Sequence, residues 1–316
     1  MRTIAMIGTG FVADLYASCL KSFPDIELVA CYDRDTKRLT RFTRHWSLPI
    51  AQSLQEVLDG PATLILNLTN PHEHYQVSEA ALLHGKHVYS EKPLATEFDR
   101  ALALHALARE RGLTLSSAPC SLLSQCAQTV RHALESGEIG TPRLVYAELD
   151  DDYISKAPIQ KWLSESGTPW PLDDELKVGC TLEHAGYYLT WLMDMFGPVR
   201  TVVSASAHIG DVSALTRETP APDYSSGTLF FESGMIARLT CSIIAPHDHQ
   251  LRVFGEEGIL EVAECWANQA PVKIRRRHVL RRRLINSPFA RTVKPQPWTA
   301  HPFTGPRGSA SLNFLL

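Results

Sequence analysis

The chain has 316 residues, of which 44% are hydrophobic and 21% charged, and a net charge of −3. That length exceeds one compact core and suits two domains, the composition is that of a soluble globular protein, and no apolar run is long enough to cross a bilayer. Seven cysteines, scattered and without a C-x-x-C pair, point away from a disulfide framework and from a zinc site. The N-terminus enters a strand at once, with no basic flank or cleavable apolar segment, so a cytoplasmic protein is expected.

Thr3-Ile4-Ala5-Met6-Ile7 is a short apolar run with β-branched residues, which predicts a buried parallel strand. Gly8-Thr9-Gly10-Phe11-Val12-Ala13 follows, and Val12, Ala13, Leu15, Tyr16 and Leu20 then repeat at helical spacing. Strand, Gly-x-Gly-x-x-Ala and helix together form the dinucleotide fingerprint. Gly8 permits a tight turn, Gly10 lets a pyrophosphate approach the backbone, and Ala13 lets the helix lie close to the strand. Phe11 and Val12 sit where the helix N-terminus offers N–H groups to phosphate. The next strand, Glu27–Tyr32, ends in Asp33, 20 residues after Ala13. An acid there accepts the adenosine ribose hydroxyls and repels a 2′-phosphate, favouring NAD, whereas the adjacent Arg34 would accept NADP.

Helices are predicted at Leu39–Trp46 and from Ser53, then a buried strand at Ala62–Leu68. Thr69-Asn70-Pro71 closes that strand, and Pro71 suits the first turn of a helix over Glu73–His84. Lys86–Ser90 is the next strand, followed by Glu91-Lys92-Pro93, a helix through Arg109 and a strand at Leu113–Ser117. Alternating strands and helices predict a doubly wound parallel Rossmann sheet over residues 1–119. Ligands of such sheets sit at the carboxyl ends of the strands, where Gly8, Asp33, Asn67 to Asn70 and Ser90 to Lys92 fall.

Past Ala118 the pattern changes. A helix is expected at Ser124–Ser136, strands at Leu144–Asp150, Thr201–Ile209, Gly227–Phe231, Met235–Ala245, Leu251–Phe254 and Gly258–Val262, and one strong helix at Leu182–Phe196. Asp223 to Gly227 and Glu232-Ser233-Gly234 read as turns, the second closing a hairpin. Residues 120–316 are thus predicted to form an α+β domain with a mostly antiparallel sheet, covered by helices on one face and apolar enough on the other for subunit contact. From Cys265 on there is no acidic residue but ten Lys and Arg. Without interleaved aromatic platforms this predicts a solvated ribbon facing water or a neighbouring subunit, not a nucleic-acid surface.

Lys92, between an acid and a proline at the mouth of the dinucleotide sheet, is the leading catalytic candidate. Its cation would polarise a substrate oxygen or lower the pKa of a neighbouring hydroxyl. Together, Gly8-x-Gly10-x-x-Ala13, Thr69-Asn70-Pro71…His74 and Gly85-Lys86-His87-Val88…Glu91-Lys92-Pro93-Leu94-Ala95 resemble the Gfo/Idh/MocA oxidoreductases. Leu251–Val262 resembles a strand pair of that family's second domain. The resemblance implies hydride transfer between NAD(P) and a sugar, sugar-acid or cyclitol carbon. It also implies a C-terminal sheet that carries substrate and joins subunits, as a homodimer or homotetramer. Many members carry an Asp and, four residues later, a His on the helix after a glycine-rich turn; aligned on Gly179 and Gly186, these positions hold His184 and Tyr188. The resemblance therefore implies Tyr188 as proton donor and acceptor with Lys92 lowering its pKa, and His184 as substrate-orienting group or relay, with His184 as the principal base the second choice.

By the same resemblance, Thr69, Asn70, Pro71, His74, Glu91 and Lys92 are assigned to the cofactor. Asp150-Asp151-Asp152-Tyr153 and Lys156…Lys161-Trp162…Trp170 form a long loop whose acids and tryptophans suit a polyhydroxyl ligand, Asp152 and Trp162 above all. His247-x-His249 reads as polar strand-end residues, and no metal is expected. Members of the family usually continue past the segment resembling Pro306–Phe314 into helices, so a chain ending at Leu316 is expected to expose apolar surface, either covered by a partner subunit or leaving a less active protein. Two other readings of the same residues are a glycosidase that retains NAD and a non-catalytic dinucleotide sensor.

Overall fold

The computed structural model describes residues 2–213, 215–216 and 219–296 and divides into two compact units. In the first, β1 (Arg2–Ile7), α1 (Ala13–Leu20), β2 (Ile26–Tyr32), α2 (Thr36–Trp46), α3 (Leu54–Asp59) and β3 (Leu64–Asn67) are followed by α4 (His74–Leu83), β4 (His87–Ser90), α5 (Phe98–Glu110) and β5 (Leu115–Ser117). The five strands run parallel in the order β2-β1-β3-β4-β5, the doubly wound sheet expected from the alternation.

Local chemistry sets the element boundaries. Asp35 caps α2, its Oδ1 accepting the N–H groups of Lys37 and Arg38, each at 3.0 Å. Ser53 caps α3 by accepting the Glu56 N–H at 3.1 Å. Each cap contributes about 1 kcal/mol. The core contributes more: Ala5, Ile7, Ile65 and Val88 of the strands pack with Val77, Leu82 and Leu104 of the helices, at about 1.5–3 kcal/mol for each large side chain. Packing, not capping, holds this sheet together.

Strand register aligns the turns. Tyr32, Ile7, Asn67, Ser90 and Ser117 pair in one row across the sheet. All five strands therefore end at the same level, and the turns after them emerge side by side along the carboxyl edge.

Helix α6 (Gln125–Glu135) and strand β6 (Pro142–Asp150) open the second unit, but Pro158–Val178, including α7 (Leu172–Val178), belongs to the first. The second unit is thus interrupted rather than continuous from residue 120. It resumes with α8 (Cys180–His184), α9 (Gly186–Phe196), β7 (Val199–Ala207), β8 (Tyr224–Phe231), β9 (Ile236–Ser242), β10 (Leu251–Gly255), β11 (Gly258–Val262), β12 (Val272–Leu280), β13 (Arg283–Asn286) and β14 (Arg291–Thr292). Its nine-stranded sheet runs β13-β12-β11-β10-β6-β9-β8-β7, with β14 beside β12. Only β6 and β9 pair in parallel among these described strands.

Alternate residues Val145, Ala147 and Leu149 of β6 are fully buried, and α8 lies against β8 and β9. The other face carries an apolar, half-exposed row, Ile259, Phe254, Leu144, Ile236 and Phe230, beside a polar one. Tyr146 there is covered by the guanidinium groups of Arg238 and Arg252, 4.1 and 5.6 Å from its ring centre, and Arg238 pairs with Glu148. The helix predicted as one piece over Leu182–Phe196 corresponds to the end of α8 and to α9, joined by Ala185, whose N–H donates to the Thr181 carbonyl and whose carbonyl accepts the Leu189 N–H, each at 2.9 Å. Asp223 to Gly227, expected as a turn, leads straight into β8: Asp223 is buried and accepts the Ile209 and Gly210 N–H groups at 2.9 and 2.7 Å. Glu232-Ser233-Gly234 does close the β8–β9 hairpin, with Gly234 at φ +83°. The basic tail forms the β12–β13 ribbon, where Arg275 pairs with Glu261 at 2.9 Å and Arg276 with Glu138 at 3.0 Å. Pro306–Phe314 lies outside the described residues. No helix among the described residues is long and apolar enough to cross a membrane.

Candidate functional site

The carboxyl edge of the first sheet gathers Gly8, Asp33, Leu68 to Asn70 and Glu91-Lys92 into one row of turns. Its topological switch lies between β1 and β3, where the chain leaves toward opposite faces of the sheet. Gly8 sits at φ +95°, and a Cβ there would lie 2.4 Å from the Leu68 carbonyl oxygen. It is the close approach of two turns that demands glycine. A Cβ on Gly10 would meet no protein atom within 4 Å. The space beside Gly10 is open to a ligand, so the turn fits a pyrophosphate laid against its backbone.

Asp33 departs from its expected role. It is 3% exposed, and both oxygens are committed within the protein. Oδ2 accepts the Thr9 N–H at 2.8 Å, the Thr9 hydroxyl at 2.9 Å and Arg38 Nε at 2.9 Å. Oδ1 accepts the Asp35 N–H at 2.8 Å and Arg38 Nη2 at 2.8 Å. A carboxylate offers about four lone-pair sites, so this one is saturated. Burial alone pushes its carboxyl up, but the Arg38 fork with the Asp35 and Thr9 N–H groups outweighs burial and holds it below the ordinary value. The charge expected to repel a 2′-phosphate is thus neutralised by Arg38, and Asp33 instead fixes the Gly8–Gly10 turn. Arg34, exposed, pairs with Glu73 at 2.9 Å.

The Glu91-Lys92-Pro93 segment is held from two sides. The Tyr16 hydroxyl of α1 donates to Glu91 Oε1 at 2.6 Å, and Glu91 Oε2 accepts the Lys92 N–H at 3.1 Å. His74, expected to line the cofactor cleft, is 1% exposed. Its Nδ1 lies 2.6 Å from the Pro93 carbonyl and its Nε2 2.9 Å from the Thr69 carbonyl. The ring pins the Thr69-Asn70-Pro71 turn to the Lys92-Pro93 turn. Asn67 supports the same turn, its Oδ1 accepting the Thr69 hydroxyl at 2.6 Å. Asn70 bonds the Asp174 carboxylate of α7. None of Arg38, Tyr16 or the two carbonyls flanking the His74 ring was legible as a site feature, because each partner is set by tertiary packing rather than by spacing.

In the second unit Tyr188 lies in the core, 0% exposed, with its hydroxyl donating to the His249 carbonyl. Burial pushes the phenol well above its ordinary value, opposite to the lowering expected from a lysine. A phenol locked to a carbonyl and shielded from solvent does not fit the proton donor and acceptor that the aligned position implied. Instead, Tyr188 packs edge-to-face on Trp191, ring centres 5.6 Å apart. His184, at the end of α8, is 5% exposed, and its ring centre is 6.2 Å from that of Trp266. Asp152 is exposed in the left-handed region at φ +61°. Trp162 falls in the first unit, half-buried, with Trp170 edge-to-face at 5.4 Å.

His247 and His249 are more than strand-end residues. Both bond Glu264, His247 Nε2 to Oε2 at 2.8 Å and His249 Nδ1 to Oε1 at 3.0 Å. The Trp266 N–H also donates to Oε1, at 2.9 Å. Burial alone would raise the Glu264 carboxyl; the two histidines and that N–H override it and hold it at about 2.

The N-terminal profile described as "Oxidoreductase family, NAD-binding Rossmann fold" matches residues 2–118, and the "GFO/IDH/MocA C-terminal domain" profile matches residues 127–261. Trans-1,2-dihydrobenzene-1,2-diol dehydrogenase of Mus musculus is 26% identical over 266 residues, covering 83% of this chain and 74% of that protein. dTDP-3,4-didehydro-2,6-dideoxy-alpha-D-glucose 3-reductase of Streptomyces antibioticus is 38% identical over 129 residues, covering 40% of this chain and 39% of that protein. A 3-ketoreductase from Actinomadura kijaniata, solved with TDP-benzene and NADP, shares the fold at a TM-score of 0.73 and 21% identity, covering 99% of this chain and 87% of that one. With both of its domains accounted for, the chain belongs to the GFO/IDH/MocA family and is an NAD(P)-dependent oxidoreductase of that family.

Proposed function

We propose that this protein transfers a hydride between a nicotinamide dinucleotide and a CH–OH or carbonyl carbon of a sugar-like substrate. The observation carrying this reading is the row of turns at the sheet's carboxyl edge, where the open glycine turn after β1, the Thr69-Asn70 turn after β3 and Lys92 after β4 follow one another. Gly10, Phe11 and Val12 would hold the pyrophosphate, Arg34 and Arg38 the adenosine ribose region, and Thr69, Asn70, Pro71, Glu91 and Lys92 the nicotinamide half. The bound dinucleotide supplies the hydride acceptor or donor. Oxidation of CH–OH also releases a proton, and the alcohol oxygen gains negative charge as that proton leaves. Lys92 stabilises this charge as a fixed cation. His184 is assigned to orient the substrate or relay the proton. Asp152 and Trp162 are assigned to substrate contact. The names of the dihydrodiol dehydrogenase and the nucleotide-sugar 3-reductase support a cyclic, oxygen-bearing substrate.

The test uses purified protein with nucleotide sugars, cyclitols and trans-diols, following the absorbance of reduced nicotinamide with each cofactor. Lys92→Ala should lower kcat by about 10²–10⁴-fold while calorimetry shows dinucleotide binding retained. Tyr188→Phe should lose about 1–3 kcal/mol of stability by leaving the buried His249 carbonyl unpaired, with kcat changed far less than in the lysine variant. An unchanged kcat in Lys92→Ala, or a folded Tyr188→Phe protein as inactive as it, would refute these assignments.

A further inference from the structure

One corner of the second unit has a donor set that hydride transfer does not use. The antiparallel bridge between Asp150 and Asp248 brings the end of β6 beside the segment ahead of β10, and a second bridge pairs His249 with Glu264. Residues two apart on an extended segment point to the same side, so His247 and His249 project together, with ring centres 4.1 Å apart. Glu264 binds one nitrogen of each ring. An ionised carboxylate only accepts hydrogen bonds. His247 Nε2 and His249 Nδ1 therefore donate to it, which leaves His247 Nδ1 and His249 Nε2 as the nitrogens a cation would meet.

Those two nitrogens lie near one group. Asp151 Oδ1 lies 3.7 Å from His247 Nδ1 and 4.0 Å from His249 Nε2. Both separations exceed a hydrogen bond. His249 is fully buried, and its Nε2 has no hydrogen-bond partner among the described residues. The three atoms lie within 4.8 Å of one another. A divalent cation bonded at about 2.0–2.2 Å to imidazole nitrogen and carboxylate oxygen sits among ligands of this kind, after closure by a few tenths of an ångström. An outer carboxylate that holds the far N–H of each metal-bound imidazole is the usual support of such a centre.

We propose that Asp151, His247 and His249 bind one divalent transition cation of the zinc class, with Glu264 orienting both imidazoles and a fourth position open to water. The site requires no activity assay. Purified protein is stripped with a chelator and titrated with Co²⁺, whose visible absorption reports coordination, and then with Zn²⁺ in calorimetry. One equivalent should bind, and Zn²⁺ should displace the Co²⁺ spectrum. Asp151→Asn and His247→Gln should each weaken binding at least as much as Glu264→Gln, for which about 10–100-fold is expected. His278→Gln, on the exposed ribbon, should leave binding unchanged. Circular dichroism confirms that each variant is folded, and the fully buried His249 is left intact for that reason. Absence of saturable binding to the stripped protein overturns the proposal. So does binding that Asp151→Asn and His247→Gln leave unaltered, which would place the ion on other residues.

Discussion

Asp33 receives five hydrogen bonds, from the Thr9 N–H and hydroxyl, the Asp35 N–H and two nitrogens of Arg38. In Asp33→Asn the Arg38 charge loses its counterion and at least one donor faces an amide N–H₂. Breaking a buried pair costs about 3–5 kcal/mol, and the part-exposed Arg38 reduces this to about 2 kcal/mol. Because Asp33 anchors Thr9, the glycine turn loosens and both NAD(H) and NADP(H) should bind more weakly, by similar factors in calorimetry. A variant that gains NADP(H) affinity would return Asp33 to the role of ribose reader. The pH dependence has a fixed sign. The folded carboxyl lies below its ordinary value, so the folded state binds fewer protons than the unfolded chain in acid. Its contribution is complete above the unfolded value of about 3.9 and is lost as pH falls through the lower folded value. Urea midpoints of wild type and Asp33→Asn should therefore stay apart at neutral pH and converge below about pH 4.

At the scale of elements, the strand–turn–helix that opens the chain contains two glycines with different physical burdens. Gly8→Ala forces a side chain to φ +95° and drives its Cβ against the Leu68 carbonyl, costing about 2 kcal/mol or more. Gly10→Ala places its Cβ in open space, so stability should change by less than about 0.5 kcal/mol while dinucleotide binding collapses. Thermal unfolding and calorimetry on the two variants separate the burdens; equal loss of stability in both would contradict the geometry. This element was legible in the sequence because its glycines, apolar strand and helical repeat are contiguous. The same holds for β11, predicted at Gly258–Val262 and found there. What spacing did not carry was the partner of each polar group. Tyr16 reads as one more helical apolar residue, yet its hydroxyl holds Glu91 75 positions away. Tyr188 was placed by analogy with aligned helices, and its burial depends on a carbonyl 61 positions away.

Across the whole molecule, the loop read from sequence as one entry into the second domain is divided between the units: Asp152 stays with the second, and Trp162 belongs with the first. Local pattern hides such a division, because the bonds that decide it come from residues more than a hundred positions away. Asp14 of α1 accepts Trp46 Nε1 at 2.7 Å, the Ser166 N–H at 2.9 Å and the Ser166 hydroxyl at 2.8 Å. Arg41 of α2 donates to the Thr168 hydroxyl at 3.0 Å. These bonds make Pro158–Val178 part of the dinucleotide-binding unit, although the chain reaches it only after building β6. Asp14→Ala removes the two from Ser166 and the one from Trp46, worth about 1–3 kcal/mol in total. That loss should speed amide exchange in residues 158–178 by about 10–100-fold and leave the amides of β9, β10 and β11 at their wild-type rates. Were the segment instead a piece of the second domain, its exchange would be indifferent to Asp14 and would follow the large sheet when that sheet is destabilised by a cavity such as Val253→Ala.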